Sequence, residues 1–295
     1  MIAQIRNFEE SDLPFLLELL KEPDSEQRLL YIHYGNGNFS SWLKERSIKV
    51  LIAENNNGII GSAAYNDGFW GEEIEWLVTC RNPDRKLVED MLVREAEKYV
   101  IKDTVFTSVN AGSSRVEEWV RRGYCPNGGL YYMITKLSRF KSIPKIPEGV
   151  LLRCLKPEEE NEFVQVVNAG FGWERVKLGD IEKWKAESPP FDEEWIYVAE
   201  DDGKLVSVVV AKPDIGYNRF FNAKRGYLGP AATVPEYRGK NLASALTVHA
   251  MNSLFKRGMD SVCLFTNEAN AFSIKLLQKI GFQIGFHWRF MLKHF

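Results

Sequence analysis

The segment Thr233-Val-Pro-Glu-Tyr-Arg-Gly-Lys-Asn-Leu-Ala243 constrains this chain most, because it joins an extended run to a basic, glycine-containing turn and then to an amphipathic helix. Upstream, Arg225 to Val234 reads as a short strand. Downstream, Leu242, Ala245, Leu246, Ala250, Met251 and Leu254 recur at helical spacing. The turn therefore sits at the amino end of a helix. Several backbone N–H groups lack intrahelical acceptors there, and the macrodipole adds about half a positive charge. Arg238 and Lys240 bring full charges to the same corner. Together these features predict a cradle for a pyrophosphate.

A second strand–turn–helix follows. Ser261 to Thr266 alternates like a buried strand, and Asn267-Glu-Ala-Asn270 leads into a helical run that ends at Gly281-Phe282, with Gly281 as the terminating glycine. At these two segments the chain resembles the GCN5-related N-acetyltransferase (GNAT) superfamily. That superfamily's coenzyme-A loop reads Arg/Gln-x-x-Gly-x-Gly/Ala after a strand, and Arg238-Gly-Lys-Asn-Leu-Ala243 matches it. Asn241 replaces the central glycine. After glycine, asparagine tolerates a left-handed backbone best, so the amide donor survives although a Cβ intrudes. The segment from Asn270 to Phe282 looks like the second motif, Asn-x-x-Ala-x-x-Leu-Tyr-x-x-x-Gly-Phe, with Asn270 in register.

The resemblance implies acetyl-CoA (coenzyme A) as cosubstrate. Backbone groups at Ala231, Ala232 and Thr233 would bind pantetheine and polarise the thioester. The turn Arg238, Gly239, Lys240, Asn241, Leu242, Ala243 and Ser244 would hold the pyrophosphate, and Asn270 would contact the pantetheine arm. The acid and base do not carry over, because the usual catalytic tyrosine falls on Leu277 and the strand glutamate of some relatives on Phe265. Tyr227 can face the cleft and act as the acid, or it can belong to the core. His249 lies among the apolar positions of its helix, and His287 belongs to the last strands; both are ambiguous. The implied reaction is direct transfer of an acetyl group to the amine of a small molecule or peptide. The alternative is a non-catalytic acyl-CoA-binding or interaction protein, motivated by Leu277 and Phe265.

Internal similarity sets the domain organisation. Ile5-Arg-Asn-Phe-Glu-Glu-Ser-Asp-Leu-Pro14 parallels Leu152-Arg-Cys-Leu-Lys-Pro-Glu-Glu-Glu160, each a strand followed by a helix start. The hairpin of Val50–Glu54 and Ile59–Ala63 parallels Ile196–Glu200 with Leu205–Val209, and Trp119-Val-Arg-Arg-Gly-Tyr124 parallels Leu277-Gln-Lys-Ile-Gly-Phe282. The expected fold is α/β (α+β), with two tandem GNAT-like domains. By resemblance, each is a mixed, mostly antiparallel sheet that splays open and is flanked by helices. Residues 1–138 form one domain, 139–149 a linker with two prolines and a glycine, and 150–295 the domain that binds acyl-CoA. In the first copy the turn Cys80-Arg-Asn-Pro-Asp-Arg-Lys86 has no glycine, Pro83 removes an amide donor, and Asp84 puts a negative charge where a phosphate would lie. Its second-motif asparagine aligns with Gly112. That copy reads as degenerate, with packing, pairing of chains into a homodimer, or shaping the acceptor cleft as the roles open to it.

Between the first strand and the hairpin of the second copy, Phe171, Trp173, Glu174, Trp184, Glu187 and Trp195 are either the lining of an acceptor site, holding an amine by cation–π and ionic contacts, or core aromatics and solvated acids. The net charge of −2 over 295 residues leaves no electrostatic footprint for nucleic acid. Cys80, Cys125, Cys154 and Cys263 are scattered, without the spacing of a metal site or a disulfide framework, which points to a reducing compartment. The first residues, Met1 to Arg6, lack the pattern of a signal peptide, and no apolar run reaches the ~18 residues of a membrane span. A cytoplasmic protein without membrane or metal partners is expected.

Overall fold

The repeat recurs as a repeated ion triad in the three-dimensional structure, a computed structural model that describes residues 3–21, 43–44, 47–68, 71–80 and 83–295. The opening residues Met1 and Ile2 lie outside these. In the first copy, strand β1 (Gln4–Asn7) places Arg6 so that its Nε donates to Glu54 at 2.9 Å and its terminal nitrogens to Asp12 at 2.7 and 2.9 Å. In the second, β7 (Leu151–Cys154) places Arg153 so that Nε donates to Glu200 at 2.7 Å and the terminal nitrogens to Glu159, both at 2.7 Å. Each middle carboxylate also accepts a backbone N–H three residues back, from Glu9 or from Lys156, and so caps the first helical turn.

This geometry has a pH signature. Hydrogen bonding from Arg153, opposed by desolvation and helped by the Lys156 amide, holds the Glu159 carboxyl below its ordinary value of 4.5. A carboxyl depressed in the folded state contributes stability that is complete above the unfolded value and is lost as pH falls through the lower, folded one. Glu159→Gln is expected to lower the unfolding free energy by about 1–3 kcal/mol at pH 7, and by progressively less as pH falls below the ordinary carboxyl range. Urea unfolding at a series of pH values checks this; a difference that persisted undiminished in acid would remove the ion triad as its cause.

The chain divides into two compact units, residues 1–130 with 286–295, and residues 131–285. In the first unit β1 pairs antiparallel with β2 (Lys49–Asn55), β2 with β3 (Gly58–Gly68), and β3 with β4 (Gly71–Thr79). Beside β4 runs the parallel β5 (Thr104–Asn110). Side chains of β2 alternate between two cores, because successive residues of a strand point to opposite faces. Leu51 and Ala53 pack with Leu92 of α2 (Arg85–Glu97), whereas Val50 and Ile52 pack with Leu16 and Leu20 of α1 (Leu13–Lys21). Helix α3 (Arg115–Arg121) follows β5.

The second unit repeats the pattern. Strands β7, β8 (Ile196–Asp201), β9 (Lys204–Pro213) and β10 (Arg225–Thr233) are antiparallel neighbours, with β11 (Ser261–Asn267) parallel to β10. Residues 131–136 of β6 (Cys125–Lys136) lie next to β11. The β8–β9 turn uses Asp202 and Gly203, both at positive φ, which suits the twist of a two-stranded hairpin. Leu205 to Ala211 are all buried, so both faces of β9 are covered, by α4 (Glu160–Phe171) and α7 (Leu242–Lys256). Two glycines permit the close approach of these helices to β10. A Cβ on Gly170 would meet that of Ala232 at 2.7 Å, and one on Gly226 would meet Leu254 at 2.8 Å. Helices α5 (Asp180–Glu187), α6 (Ile215–Phe221) and α8 (Ala271–Lys279) complete the unit. The fold class is therefore mixed α/β, with strands of both directions and flanking helices. No helix among the described residues is long and apolar enough to cross a membrane.

The compact units do not coincide with the spans expected from the sequence. Residues 139–149 contain neither helix nor strand, yet they lie within the second unit: Phe140 packs edge-on against Phe255 at 5.3 Å, and the Lys141 amide donates to Asn252. Residues 286–295 belong to the first unit because β12 (Gln283–His294) pairs Trp288 through His294 with Asn110 through Thr104. A strand of alternating apolar residues satisfies either sheet, so its composition does not choose between them.

Candidate functional site

The pairing of β10 with β11 stops early. The two strands are in register from Arg225/Ser261 to Tyr227/Cys263 and diverge beyond it, although β10 continues to Thr233. On its other side β10 carries a bulge between Leu228 and Ala231, then resumes pairing as Ala231, Ala232 and Thr233 opposite Val209, Val208 and Ser207. The β11-facing edge of residues 228–233 is thereby left outside the ladder, in a splayed cleft.

At the far end of β10 the chain passes through Pro235–Tyr237 into the turn. Gly239 has φ 77° and Asn241 φ 63°, so both adopt the left-handed conformation in which glycine and asparagine are least penalised. Helix α7 then begins at Leu242, and its first intrahelical bond runs from Ala245 N to Asn241 O. The amides of Leu242, Ala243 and Ser244 come before that bond and point out of the helix end. Thr233, Arg238, Gly239, Asn241, Leu242, Ala243 and Ser244 line one pocket that opens to solvent, together with Tyr237, Phe272 and Leu276. These last three were not singled out from the sequence. Phe272 carried a usable signal, an apolar residue in the first turn of a helix, and it is 71% exposed.

The remaining site residues fall around this pocket. Ala231 is exposed and Ala232 buried on β10, before the turn. The ammonium of Lys240 lies 4.0 Å from the ring centroid of Tyr237, whose hydroxyl donates to Asp201. Arg238 folds back to donate to Gly170 O at 2.8 Å. Asn270 caps α8, its side chain accepting from Ser273 N at 3.1 Å, and it is not among the pocket residues.

Tyr227 occupies the last paired position before the strands diverge, between Lys212 of β9 and Cys263 of β11. Its hydroxyl lies beside Gly229, where an added Cβ would stand 3.5 Å from the oxygen. Burial pushes the phenol up to about 12. Cys263 is likewise raised to about 12 by burial, so it stays a thiol. Phe265 is 42% exposed and stands 6.4 Å from Tyr227, ring to ring; Leu277, at 5%, is in the core. His249 is partly buried, its ring lies tilted against Tyr197 at 5.0 Å between centroids, and its Nδ1 finds no hydrogen-bond partner, while burial lowers its pKa. His287 lies in the first unit.

The expected acceptor aromatics separate. Trp195 is buried in the core under Arg257. Phe171 and Trp173 are exposed and stand edge to face, with the Arg175 guanidinium 5.9 Å from each centroid. Trp184 packs edge-on against Phe163 and Phe191, and the Lys212 ammonium lies 5.6 Å from its ring centroid and 5.8 Å from that of Tyr227. Glu174 and Glu187 are exposed and paired to Lys177 and Lys183. The cations over these rings are thus the protein's own. Lys212 escaped the sequence reading, although a lysine closing the apolar run Leu205–Ala211 is a visible irregularity.

In the first unit the corresponding corner is filled. Arg81 and Asn82 of its turn lie outside the described residues, but beyond Pro83 and Asp84 the carboxylate of Glu89, 1% exposed, accepts from Arg85, Arg115, Arg122 and Thr79. Arg115 also donates to the backbone oxygen of Leu77 near the end of β4, and Arg85 pairs with Glu118. At the position aligned with Asn270, Gly112 donates its amide to Asn110.

Comparison with known proteins agrees with the second copy's motifs. The profile of the Acetyltransferase (GNAT) domain matches residues 152–285. A mycothiol acetyltransferase from Thermobispora bispora is 30% identical over 164 residues, covering 52% of this chain and 53% of that protein. The chain spans about half the length of the curated relatives it matches. A GCN5-related N-acetyltransferase from Sphaerobacter thermophilus shares the fold at a TM-score of 0.76, over 99% of this chain and 95% of that one, with 18% identity. A tandem GNAT protein from the clavulanic acid biosynthesis pathway does so at 0.69, over 99% and 98%, with 13% identity. Residues 152–285, which contain the turn and the splayed strands, thus match the acetyltransferase domain of the GNAT superfamily.

Proposed function

We propose that the protein is an N-acetyltransferase that uses acetyl-CoA to acetylate the amine of a small molecule or peptide directly, in the cytoplasm. One observation carries this reading: the helix end at Leu242, preceded by the left-handed residues Gly239 and Asn241, opens into the same pocket as Thr233 at the splayed end of β10. Outward amides at a helix start suit a pyrophosphate. Arg238, Gly239 and Lys240 through Ser244 would hold that group. The unpaired edge of Ala231 to Thr233 would pair with the amides of the pantetheine arm, and Phe272 offers an exposed apolar face. Acetyl-CoA would supply an activated thioester carbon for the amine to attack. Tyr227 keeps its proton through the working pH range and donates a hydrogen bond at the leaving sulfur. The first copy would bind no coenzyme, because Glu89 and Glu118 already neutralise its arginines and Arg115 occupies the backbone of β4.

The carboxylates that act on Lys212, Asp214 and Glu187, are paired with Arg225 and Lys183, and the proposed reaction assigns neither as a general base. An acceptor ammonium of pKa about 10.4 is neutral in roughly one molecule in 10³ at pH 7, a penalty of about 4–5 kcal/mol. Selection of the neutral amine, or deprotonation through water, is then expected to give a rate that rises with pH through about 8–9. The test is coenzyme release from acetyl-CoA over amines, polyamines, aminoglycosides, amino acids and peptides. Coenzyme binding without turnover on any of them would favour the rival reading, a non-catalytic acyl-CoA-binding protein, which rests on Leu277 and Phe265. A flat profile between pH 6 and 9 with chemistry rate-limiting would exclude the base-free scheme.

A further inference from the structure

Two cations beside the cleft lack a carboxylate of their own. Lys212 is half-buried at the end of β9, its ammonium between the faces of Trp184 and Tyr227. The acids that act on it are committed elsewhere, Asp214 to Arg225 at 2.6 Å and Glu187 to Lys183 at 3.8 Å. Arg175, also half-buried, lies over Phe171 and Trp173, and no carboxylate among the described residues pairs with its guanidinium. Its charge acts on both Lys212 and Tyr227, so the three groups are electrostatic neighbours. Burial is the main cause of a lowered Lys212 pKa, opposed by Glu187 and Asp214 and reinforced by Arg175. Removing a cation from water is costly, and an aromatic face returns only part of that cost. The balance calls for an anion from outside the chain.

The place of these groups says which molecule brings it. Tyr227 precedes Thr233 by roughly 20 Å of strand at about 3.3 Å per residue, so Lys212, paired with Tyr227 across β9 and β10, stands at the opposite end of the splay from the phosphate cradle. We propose that Lys212 and Arg175 receive a carboxylate carried by the acceptor, so that the substrate is an amine bearing an acid group. This rests on the acetyl-transfer reading above. A carboxylate suits these groups better than a phosphate, because a monoanion loses less hydration than a dianion on entering a partly desolvated, aromatic-walled site. Arginine also meets a carboxylate in a bidentate fork.

A matched pair of probes, para-(aminomethyl)benzoate and para-(aminomethyl)benzamide, tests this, since the two differ in the acid group and little in the amine. Calorimetry on the full chain with coenzyme A is expected to show the benzoate binding at least tenfold more tightly than the benzamide. In Lys212→Met and in Arg175→Gln that preference should fall below about threefold, while coenzyme affinity stays at the wild-type value. Equal affinities, no binding of the benzoate, or a preference that survives both substitutions overturns the proposal. Turnover with acetyl-CoA separates the two readings. Preferential binding of the benzoate without acetylation of either probe supports the anion subsite and sinks acetyl transfer. Acetylation of both probes at equal efficiency does the reverse.

Discussion

Gly239→Asp is expected to abolish acetyl-CoA binding while leaving the protein folded. Nothing lies within 4 Å of where a Cβ at residue 239 would stand, so the side chain fits sterically, and the local penalty is the left-handed backbone at φ 77°, about 1 kcal/mol for an aspartate. The carboxylate would project toward the groups the cradle holds, and each repulsion at about 4 Å is worth on the order of 1–4 kcal/mol near a surface. Two phosphates make the loss at least about 30-fold, since each factor of ten is about 1.4 kcal/mol. Calorimetry of acetyl-CoA into the wild-type chain should give a stoichiometry near one, and into Gly239→Asp no detectable heat. A folded variant with wild-type affinity would show that the phosphates bind elsewhere; a stoichiometry of two would show that the buried cluster of Glu89 and Glu118 does not close the first copy. Asn241→Gly, in contrast, keeps the left-handed turn and removes the Cβ, so affinity should be equal or higher.

Tyr227→Phe is expected to lower turnover by about 10–100-fold with little change in coenzyme affinity. Burial raises the phenol to about 12, so the hydroxyl remains protonated at any pH at which the protein works. Complete proton transfer to a thiolate of ordinary pKa, about 8.5, runs uphill by roughly 3 pH units, and the amine's own proton can satisfy the sulfur afterwards. In the proposed reaction Tyr227 would therefore contribute a hydrogen bond to developing negative charge, worth about 1.5–3 kcal/mol. Replacing the hydroxyl by hydrogen leaves the tilted ring contact with Phe265 intact. Steady-state rates at saturating acetyl-CoA, with calorimetry alongside, separate the outcomes. Unchanged turnover would assign Tyr227 to packing and leave the leaving group to solvent.

What the sequence determined by itself is short-range. A strand, a turn with Gly239 and Asn241, and an apolar period beginning at Leu242 dictate a helix start with outward amides, because left-handed backbone and unpaired helical donors depend on immediate neighbours alone. The parallel motifs of Arg6 with Asp12 and Arg153 with Glu159 were likewise legible as a repeat, since each lies within one strand–helix step.

Tertiary structure decided everything that depends on register and on competition between partners. Whether Trp195 enters the core while Trp184 borders the cleft follows from how the elements that carry them pack, which spacing does not state. Residues 286–294 join β5 because a pairing edge is available there, although they follow the second copy in the chain. Lys212 comes to lie beside Tyr227 through antiparallel pairing of β9 with β10, and it stays without a carboxylate because Arg225 takes Asp214 and Lys183 takes Glu187. A charge's partner is settled by every other charge within reach, and only the folded chain brings those within reach of one another.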